Sequence, residues 1–140
     1  MINAKLLVKK AFEAQKRSYA PYSNFNVGAA LLGTNGVIYE GCNIENAAFT
    51  PTNCGERTAF FKAVSEGQME FSAIAIVGSR NGASEDEIEY CAPCGVCRQV
   101  MMEFCDPKTF KIYLAKSEDD YIEYTLEELL PLGFSGKNIE

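Results

Sequence analysis

The segment Ser72-Ala73-Ile74-Ala75-Ile76-Val77-Gly78 decides the fold, because its central residues form an unbroken apolar run. A short run of this kind, rich in Ile and Val, is typical of a β-strand that is buried on both faces. Such a strand lies inside a sheet and has another layer of structure packed on each side. The rest of the chain can therefore be interpreted as the strands and helices that surround it.

Two further pairs of strands are predicted around this segment. Residues 27–32 and 37–42 are joined by a turn containing Asn35-Gly36, which is a strong signal for a β-hairpin. Residues 110–115 and 121–125 form the second pair, connected by a short acidic turn. Together with the buried segment, these strands predict a sheet of five.

Helices are predicted between the strands. Residues 3–17 have an apolar side opposite several lysines, and residues 54–66 are closed by a glycine at the C-terminal cap. Residues 94–104 form a third helix, and Thr125-Leu126-Glu127-Glu128 matches the capping box of a short fourth one. The resulting order, α-β-β-α-β-α-β-β-α, predicts an α/β protein whose residues 1–140 form a single domain.

The composition excludes several classes of protein. The net charge is −6 and 47% of the 140 residues are hydrophobic, which is enough for a packed core. Binding to a polynucleotide requires a basic stripe, and none is visible, so we expect no nucleic-acid partner. No apolar run approaches the roughly 18 residues of a membrane span, so we expect no membrane association. The N-terminal residues have the pattern of an amphipathic helix and not of a signal peptide, which predicts a cytoplasmic protein.

The chain contains six cysteines and no histidine. In the absence of a secretion signal, metal binding or catalysis is favoured over disulfide bonds. Pro93-Cys94-Gly95-Val96-Cys97 is a C-x-x-C motif at a predicted helix start, and by itself it fits a redox pair, half of a zinc site or two core cysteines. Two helices and three strands precede the motif, whereas a redox C-x-x-C usually follows the first strand of its fold. This position disfavours a redox pair.

Cys54 lies at another predicted helix start, where free backbone N–H groups and the helix dipole favour a thiolate. If two helices under one sheet direct their N-termini to a common point, Cys54, Cys94 and Cys97 supply three soft ligands that suit zinc. Three protein ligands leave the fourth tetrahedral position open, which is characteristic of a catalytic site.

A closed four-cysteine site is the alternative, and it would hold the fold or a partner surface without catalysis. Cys42 lies in a predicted strand and Cys105 ends a predicted helix, so both are interpreted as core residues. Cys91 lies in a loop three residues before Cys94 and is the hardest cysteine to exclude as a fourth ligand.

Glu56 and Arg57 follow Cys54 closely. Side chains at i and i+2 do not share a helix face, but in the first turn both can reach a point just beyond the helix end. A carboxylate beside a zinc-activated water can accept its proton and pass it on; the alternative is a helix-start glutamate stabilised by the dipole. Three thiolates and Zn²⁺ sum to −1, which an arginine donating to a thiolate would offset. Otherwise Arg57 is an exposed surface residue.

The order C-x-E followed by P-C-x-x-C is the pattern of the zinc nucleobase deaminases. Beyond this pattern the chain resembles the small, homotetrameric, zinc-dependent cytidine deaminases along nearly its whole length. The segments that carry the resemblance are Ala20-Pro21-Tyr22-Ser23-Asn24-Phe25, Val27-Gly28-Ala29-Ala30-Leu31, Gly41-Cys42-Asn43-Ile44-Glu45-Asn46-Ala47, Thr52-Asn53-Cys54-Gly55-Glu56-Arg57-Thr58-Ala59 and Pro93-Cys94-Gly95-Val96-Cys97-Arg98-Gln99.

The resemblance implies a three-layer α-β-α fold around a five-stranded mixed sheet. It implies one Zn²⁺ per subunit, bound by Cys54, Cys94 and Cys97, with Glu56 as the proton shuttle. The implied reaction is the hydrolytic deamination of cytidine and 2′-deoxycytidine to uridine and 2′-deoxyuridine, with release of ammonia, in pyrimidine salvage. A deaminase of a related nucleoside, such as the antibiotic blasticidin S, is the closest alternative.

The resemblance also assigns the substrate contacts. Asn43 and Glu45 match the positions that hold the ribose hydroxyls, and Phe25 matches the aromatic residue that packs against the pyrimidine. The backbone of Gly55 is expected to contact the base edge. Many members of the family have alanine at this position, so Gly55 is one of two departures from the family pattern.

Three further residues imply a homotetramer whose pockets are shared between subunits. Ala47 and Phe49 match a loop that reaches a neighbouring subunit's site, and Phe134 matches a C-terminal phenylalanine that closes a neighbour's pocket. The second departure is Phe49, where many members have tyrosine and therefore an additional hydroxyl.

Overall fold

The computed structural model describes all residues 1–140. Its five strands form one mixed sheet in the order β2-β1-β3-β4-β5, in which β3 and β4 are parallel and the other pairs are antiparallel. Helices cover both faces, so the predicted three-layer α/β fold is confirmed. The elements are α1 (Ala4–Gln15), β1 (Phe25–Gly33), β2 (Ile38–Cys42), α2 (Gly55–Ser65), β3 (Phe71–Arg80), α3 (Gly95–Phe104), β4 (Lys111–Ala115), β5 (Tyr121–Thr125) and α4 (Leu126–Leu129).

The buried run predicted from the sequence is the central strand, β3. Its side chains alternate between the two faces, because successive residues of a strand point in opposite directions. Ala73, Ala75 and Val77 belong to the hydrophobic cluster under α1, whereas Ile74 and Ile76 belong to the cluster on the opposite face. The small side chains therefore face one helix layer and the large ones face the other.

Helix α1 packs closely on the alanine face of the sheet. Leu7, Val8 and Ala11 are fully buried there. Gly28 permits the close approach, since a Cβ at this position would lie 2.1 Å from the main-chain oxygen of Ala11. Leu6, an apolar residue of the same helix, is 40% exposed, because Val8 occupies the sheet-facing position instead.

Helices α2 and α3 cover the opposite face. The ring of Phe60 in α2 lies at the centre of this layer, with its centroid 5.0 Å from that of Phe71. At β2, a Cβ on Gly41 would lie 2.5 Å from the backbone nitrogen of Ala59, so this glycine lets α2 rest directly on the strand. These contacts fix the position of the α2 N-terminus at one end of the sheet.

Most predicted element boundaries agree with the structure to within two residues. The predicted capping box is present: Glu128 N donates to Thr125 Oγ1 at 3.2 Å, and Thr125 N donates to Glu128 Oε1 at 2.8 Å. Two 3₁₀ turns, Glu85–Glu87 and Gly136–Ile139, lie in segments for which no helix is predicted. A single turn held by one serine cap has no hydrophobic periodicity, so the sequence pattern does not reveal it. None of the four α-helices combines the length and apolar character of a transmembrane helix.

The contact between β1 and α1 leads to a test of the fold. Replacing Gly28 with Ala forces the helix away from the sheet and should lower the free energy of unfolding by about 2–3 kcal/mol. Gly136→Ala is the matched control, since no atom lies within 4 Å of a Cβ at that position. Urea unfolding of both variants measures the difference, and equal stabilities would contradict the close packing described above.

Candidate metal and catalytic site

The N-termini of α2 and α3 bring three cysteine sulfurs together. Cys54 is the N-cap residue of α2 and Cys94 is the N-cap residue of α3, both with extended backbone conformations. Cys97 follows in the first turn of α3 and is fully buried. The Cys54 and Cys94 sulfurs are 3.8 Å apart, and those of Cys94 and Cys97 are 3.4 Å apart. All three lie within 4.8 Å of one another.

These three sulfurs fit zinc in chemistry and spacing. Tetrahedral ligands at a Zn–S distance of about 2.3 Å are separated by about 3.8 Å. Without a cation, the site does not stabilise three thiolates together. The hydrogen bond from Cys97, together with those from Arg57 and Cys94, lowers the pKa of Cys54 to about 5, and the same contact with Cys54 raises the pKa of Cys97. A divalent cation removes this conflict, because it favours the thiolate form of every ligand.

The other three cysteines lie outside the cluster. Cys91 packs against β3, where its sulfur lies 2.7 Å from the position that a Cβ on Gly78 would occupy. Burial raises the pKa of the Cys91 thiol to about 11, and the charges of Glu56 and Cys54 act in the same direction. Cys42 ends β2 and Cys105 is the C-cap of α3. None of these three cysteines supplies a fourth ligand to the cluster. Cys94, at the rim of the cluster, is exposed to solvent.

Arg57 is directed to the cluster and not to solvent. Its Nη2 donates to Cys54 Sγ at 3.2 Å, and its buried Nε has no hydrogen-bond partner in the protein. A guanidinium in contact with a thiolate offsets part of the negative charge that three thiolates would bring. The residue that could have been a surface arginine is therefore part of the site.

Glu56 is a buried carboxylic acid beside the thiols. Its side chain is only 4% exposed, although it lies in the first turn of α2. Burial raises the pKa of Glu56 to about 7, and the charge of the Cys54 thiolate acts in the same direction. A carboxyl with this pKa can both accept and release a proton near neutral pH, which general acid–base catalysis requires.

Asn43 and Phe25 form the neighbouring part of the site at the ends of β1 and β2. Asn43 Nδ2 donates to the main-chain oxygen of Phe25 at 2.8 Å, and Asn43 Oδ1 accepts from Val27 N at 2.9 Å. The carboxamide therefore connects the two strands. The Phe25 ring lies against Gly78, where a Cβ would approach its Cε1 to 3.0 Å.

Glu45 is held by the loop that precedes β1. Its Oε1 accepts from Tyr22 N at 2.9 Å and from Ser23 N at 3.0 Å, and the Ser23 hydroxyl donates to Oε2. The bond from the Ser23 side chain and the two backbone N–H groups lower the pKa of Glu45. An ionised carboxylate has no proton to donate, so Glu45 offers only acceptor positions to a ligand.

Gly55 lies between the metal cluster and these strand ends. A Cβ on Gly55 would meet Val27 Cγ1 at 3.1 Å and the Cα of Cys42 at 3.4 Å. The helix N-terminus is thus packed tightly against β1 and β2. The glycine, a departure from the family pattern, relieves the contact with Val27.

The three residues predicted to act across subunits are all exposed and belong to loops. Phe49 is 69% exposed and has a positive φ of 63°, and its ring contacts that of Tyr22 edge-on at 6.0 Å. Ala47 precedes it in the same loop. Phe134 is 57% exposed, and its main-chain oxygen accepts from Gln99 Nε2 of α3 at 2.9 Å. The loop and the C-terminal segment therefore present these side chains to solvent.

Three residues that support the site were not predicted from the sequence. Ser18 and Ser23 bond the side chains of Asn43 and Glu45, and Gly78 provides the surface for Phe25 and Cys91. Nothing in their spacing indicates these roles, because each depends on a contact between distant parts of the chain. Gly78 carries the only available signal, as a glycine inside an apolar strand.

The sequence model of the "cytidine and deoxycytidylate deaminase zinc-binding region" matches residues 1–113. The chain belongs to this family. A cytidine deaminase of Sporosarcina psychrophila is 47% identical over 133 residues, covering 95% of this chain and 92% of the relative. A cytidine deaminase of Halalkalibacterium halodurans is 45% identical, covering 99% and 98% of the two chains.

Solved structures agree with this assignment. The cytidine deaminase of Burkholderia pseudomallei has a TM-score of 0.82 and 42% identity, covering 96% of this chain and all of the other. The resemblance drawn from the sequence motifs is therefore confirmed. The chain is an enzyme of a hydrolytic deaminase family with a zinc-binding region, and its three-cysteine cluster is compatible with that metal.

The position of Cys91 outside the cluster gives a test of the metal site. Cys97→Ser should abolish stoichiometric zinc binding, because it removes a thiolate from the centre of the cluster. Cys91→Ser should retain one zinc per chain, as should Cys42→Ser and Cys105→Ser. Metal analysis of the purified variants measures the zinc content. Loss of zinc from Cys91→Ser as complete as from Cys97→Ser would indicate a closed four-cysteine site.

Proposed function

We propose that this protein hydrolyses cytidine and 2′-deoxycytidine to uridine and 2′-deoxyuridine with release of ammonia. The observation that carries the proposal is the burial of Glu56 beside the cluster of Cys54, Cys94 and Cys97. An acid–base group and a site for an activated water are the two requirements for replacing an amino group by oxygen on a cytosine ring. We further propose a cytoplasmic role in pyrimidine salvage, which a free nucleoside substrate supports.

The metal site supplies the nucleophile. Cys54, Cys94 and Cys97 would hold one zinc ion per subunit, which would make a water reactive enough to attack C4 of the base near neutral pH. Arg57, bonded to Cys54 Sγ, reduces the excess negative charge that three thiolates impose on that ion.

Glu56 transfers the protons. It accepts a proton from the attacking water and delivers one to N3 of the cytosine ring. It then carries the proton of the hydroxyl formed at C4 to the departing amino group, which leaves as ammonia while the C4 carbonyl forms. The raised pKa of Glu56, about 7, makes both its protonated and its ionised form accessible during these proton transfers. The overall balance is one water consumed and one ammonia released for each nucleoside.

The nucleoside is held by the strand ends beside the helix N-termini. Phe25 provides an aromatic face for the pyrimidine, and the backbone of Gly55 provides polar groups for the base edge. Asn43 and Glu45 bind the ribose hydroxyls. Glu45 and Glu56, together with the overall charge of −6, disfavour a phosphate group, so a neutral nucleoside is the preferred substrate.

We propose a homotetramer in which each pocket is completed by a neighbouring subunit. Ala47 and Phe49 reach a neighbour from the loop before α2, and Phe134 reaches one from the C-terminal segment. Their exposure supports this assignment, as does the backbone of Phe49 and of Leu132, which both have positive φ values. Bulky residues rarely adopt this backbone conformation. Leu132 adopts it although its side chain is fully exposed in a single chain, so no contact within the chain accounts for it.

A nucleic-acid base deaminase and a deaminase of a modified nucleoside are the competing functions. The first requires a cationic groove with stacking aromatic residues, which the net charge of −6 opposes. The second uses the same zinc chemistry with a different pocket rim. Turnover of blasticidin S in place of cytidine would favour it.

Replacement of Glu56 with Gln tests the reaction and the role of the carboxyl together. The variant should bind zinc as the wild type does but lose activity by about two to four orders of magnitude, because it cannot transfer protons. Loss of the ultraviolet band of cytidine or 2′-deoxycytidine measures the activity, and metal analysis serves as the control. Near-normal turnover by the variant would remove Glu56 from the mechanism. No turnover by zinc-loaded wild type would show that the substrate assignment is wrong.

A mixing experiment tests whether Phe134 acts across subunits. Glu56→Gln chains have an intact Phe134, and Phe134→Ala chains have an intact Glu56. If Phe134 closes a neighbour's pocket, mixed oligomers contain complete sites, so their activity should exceed the sum of the two separate variants. Refolding or subunit exchange of the two variants, followed by the cytidine assay, measures the gain. Activity equal to the sum, or full activity of Phe134→Ala alone, would contradict the shared pocket.

A further inference from the structure

Protein groups occupy most of the hydrogen-bonding positions of the Asn43 carboxamide. Its side chain is only 8% exposed. Val27 N donates to Oδ1 at 2.9 Å, and Nδ2 donates to the oxygen of Phe25 at 2.8 Å. A third bond comes from the hydroxyl of Ser18, which also donates to Oδ1. Ser18 lies after α1, 25 residues away in sequence from Asn43.

The orientation of this carboxamide is determined by main-chain partners. A backbone N–H can only donate and a backbone oxygen can only accept, so Oδ1 faces Val27 and Nδ2 faces Phe25. The two acceptor positions of Oδ1 are then filled by Val27 and Ser18. Nδ2 has two protons, of which Phe25 takes one. The single group left for a ligand is the second N–H of Asn43.

Glu45 is complementary to this group. Its ionised carboxylate has only acceptor positions, and the loop around Tyr22 and Ser23 holds it in place. Asn43 therefore offers a donor and Glu45 offers an acceptor. A hydroxyl is the group that can accept one hydrogen bond and donate another, so the pair is matched to a sugar hydroxyl.

We propose that Ser18 is a positioning residue for ribose recognition: by bonding the inner side of Asn43 Oδ1, it holds the carboxamide so that its free N–H is directed to the nucleoside. This inference rests on the proposed function, in which Asn43 binds the ribose. Ser18 itself does not touch the substrate. Its hydroxyl also lies 3.3 Å from Asn26 Oδ1, which is the more distant of its two acceptors.

Ser18→Ala tests this role through the Michaelis constant. Removing one hydrogen bond from Asn43 should raise KM for cytidine by about three- to tenfold while kcat changes little, since the contact orients the ground state and the transition state alike. The same substitution should change kcat/KM for 2′,3′-dideoxycytidine by less than about twofold, because this substrate lacks the 2′- and 3′-hydroxyls that Asn43 would bind. An equal loss on both substrates would show a merely structural role and overturn the proposal.

Two other variants serve as controls. Ser18→Thr retains a hydroxyl, so its KM for cytidine should be near the wild-type value. Ser65→Ala removes a hydroxyl that bonds a main-chain oxygen at the far end of α2, and it should leave both substrates unaffected. If Ser18→Ala does not fold, Ser18→Cys replaces it, because a thiol of similar size is a much weaker donor and should raise KM selectively for cytidine.

Hydrogen exchange separates this proposal from the assignment of the substrate. If wild-type protein does not deaminate cytidine, the proposed function is wrong, and the comparison of substrates cannot be made. The amide of Val27 still reports on Asn43, because it donates to Oδ1. Its exchange should be faster in Ser18→Ala than in wild type, measured by NMR in D₂O. An unchanged rate would overturn the positioning role whatever the substrate is.

Discussion

The site depends on one constraint, which is that three cysteine sulfurs must meet at a point where two helices begin. Thiolates repel one another, and the opposite pKa shifts of Cys54 and Cys97 express this conflict in the protein alone. The free N–H groups of the helix N-termini and the guanidinium of Arg57 reduce the repulsion, and a divalent cation removes it. The packing of α2 and α3 on one face of the sheet is therefore a requirement of the metal site as well as of the hydrophobic core.

Glycines at close contacts set the position of this point. Gly41 lets α2 rest on β2, and Gly55 lets the helix N-terminus touch β1 and the end of β2. A larger side chain at Gly41 would displace Glu56 and Cys54 together, because a Cβ there would lie 2.5 Å from the backbone of Gly55 and of Ala59. Small displacements of this kind are costly in catalysis, since a general base must remain within hydrogen-bond reach of the proton it takes.

Local physical signals explain which parts of the molecule could be predicted from the sequence. The apolar run of β3, the Asn-Gly turn and the capping box at Thr125 each depend on neighbouring residues, and each lies where the sequence indicated. The cysteine and glutamate pattern indicated the metal site for the same reason. The two 3₁₀ turns were not predicted: the first has the capping box Ser84-Glu85-Asp86-Glu87, but no apolar run follows it to indicate a helix. The packing of Cys91 against Gly78 was not predicted because it depends on a contact between distant segments.

The cysteine cluster and the proposed nucleoside contacts are positioned by different means. Helix N-termini position the thiols and Glu56, whereas hydrogen bonds between loops position Asn43 and Glu45. The two parts of the site meet where Gly55 packs on Val27 and on the Cys42–Asn43 peptide. Because the carboxamide of Asn43 also bonds Val27 and Phe25, the proposed contacts to sugar and base are fixed to the strand on which α2 rests. A shift in the loop that holds Glu45 would therefore disturb the proposed nucleoside contacts more directly than the cysteine cluster, so under the proposed function we expect it to affect binding more than chemistry.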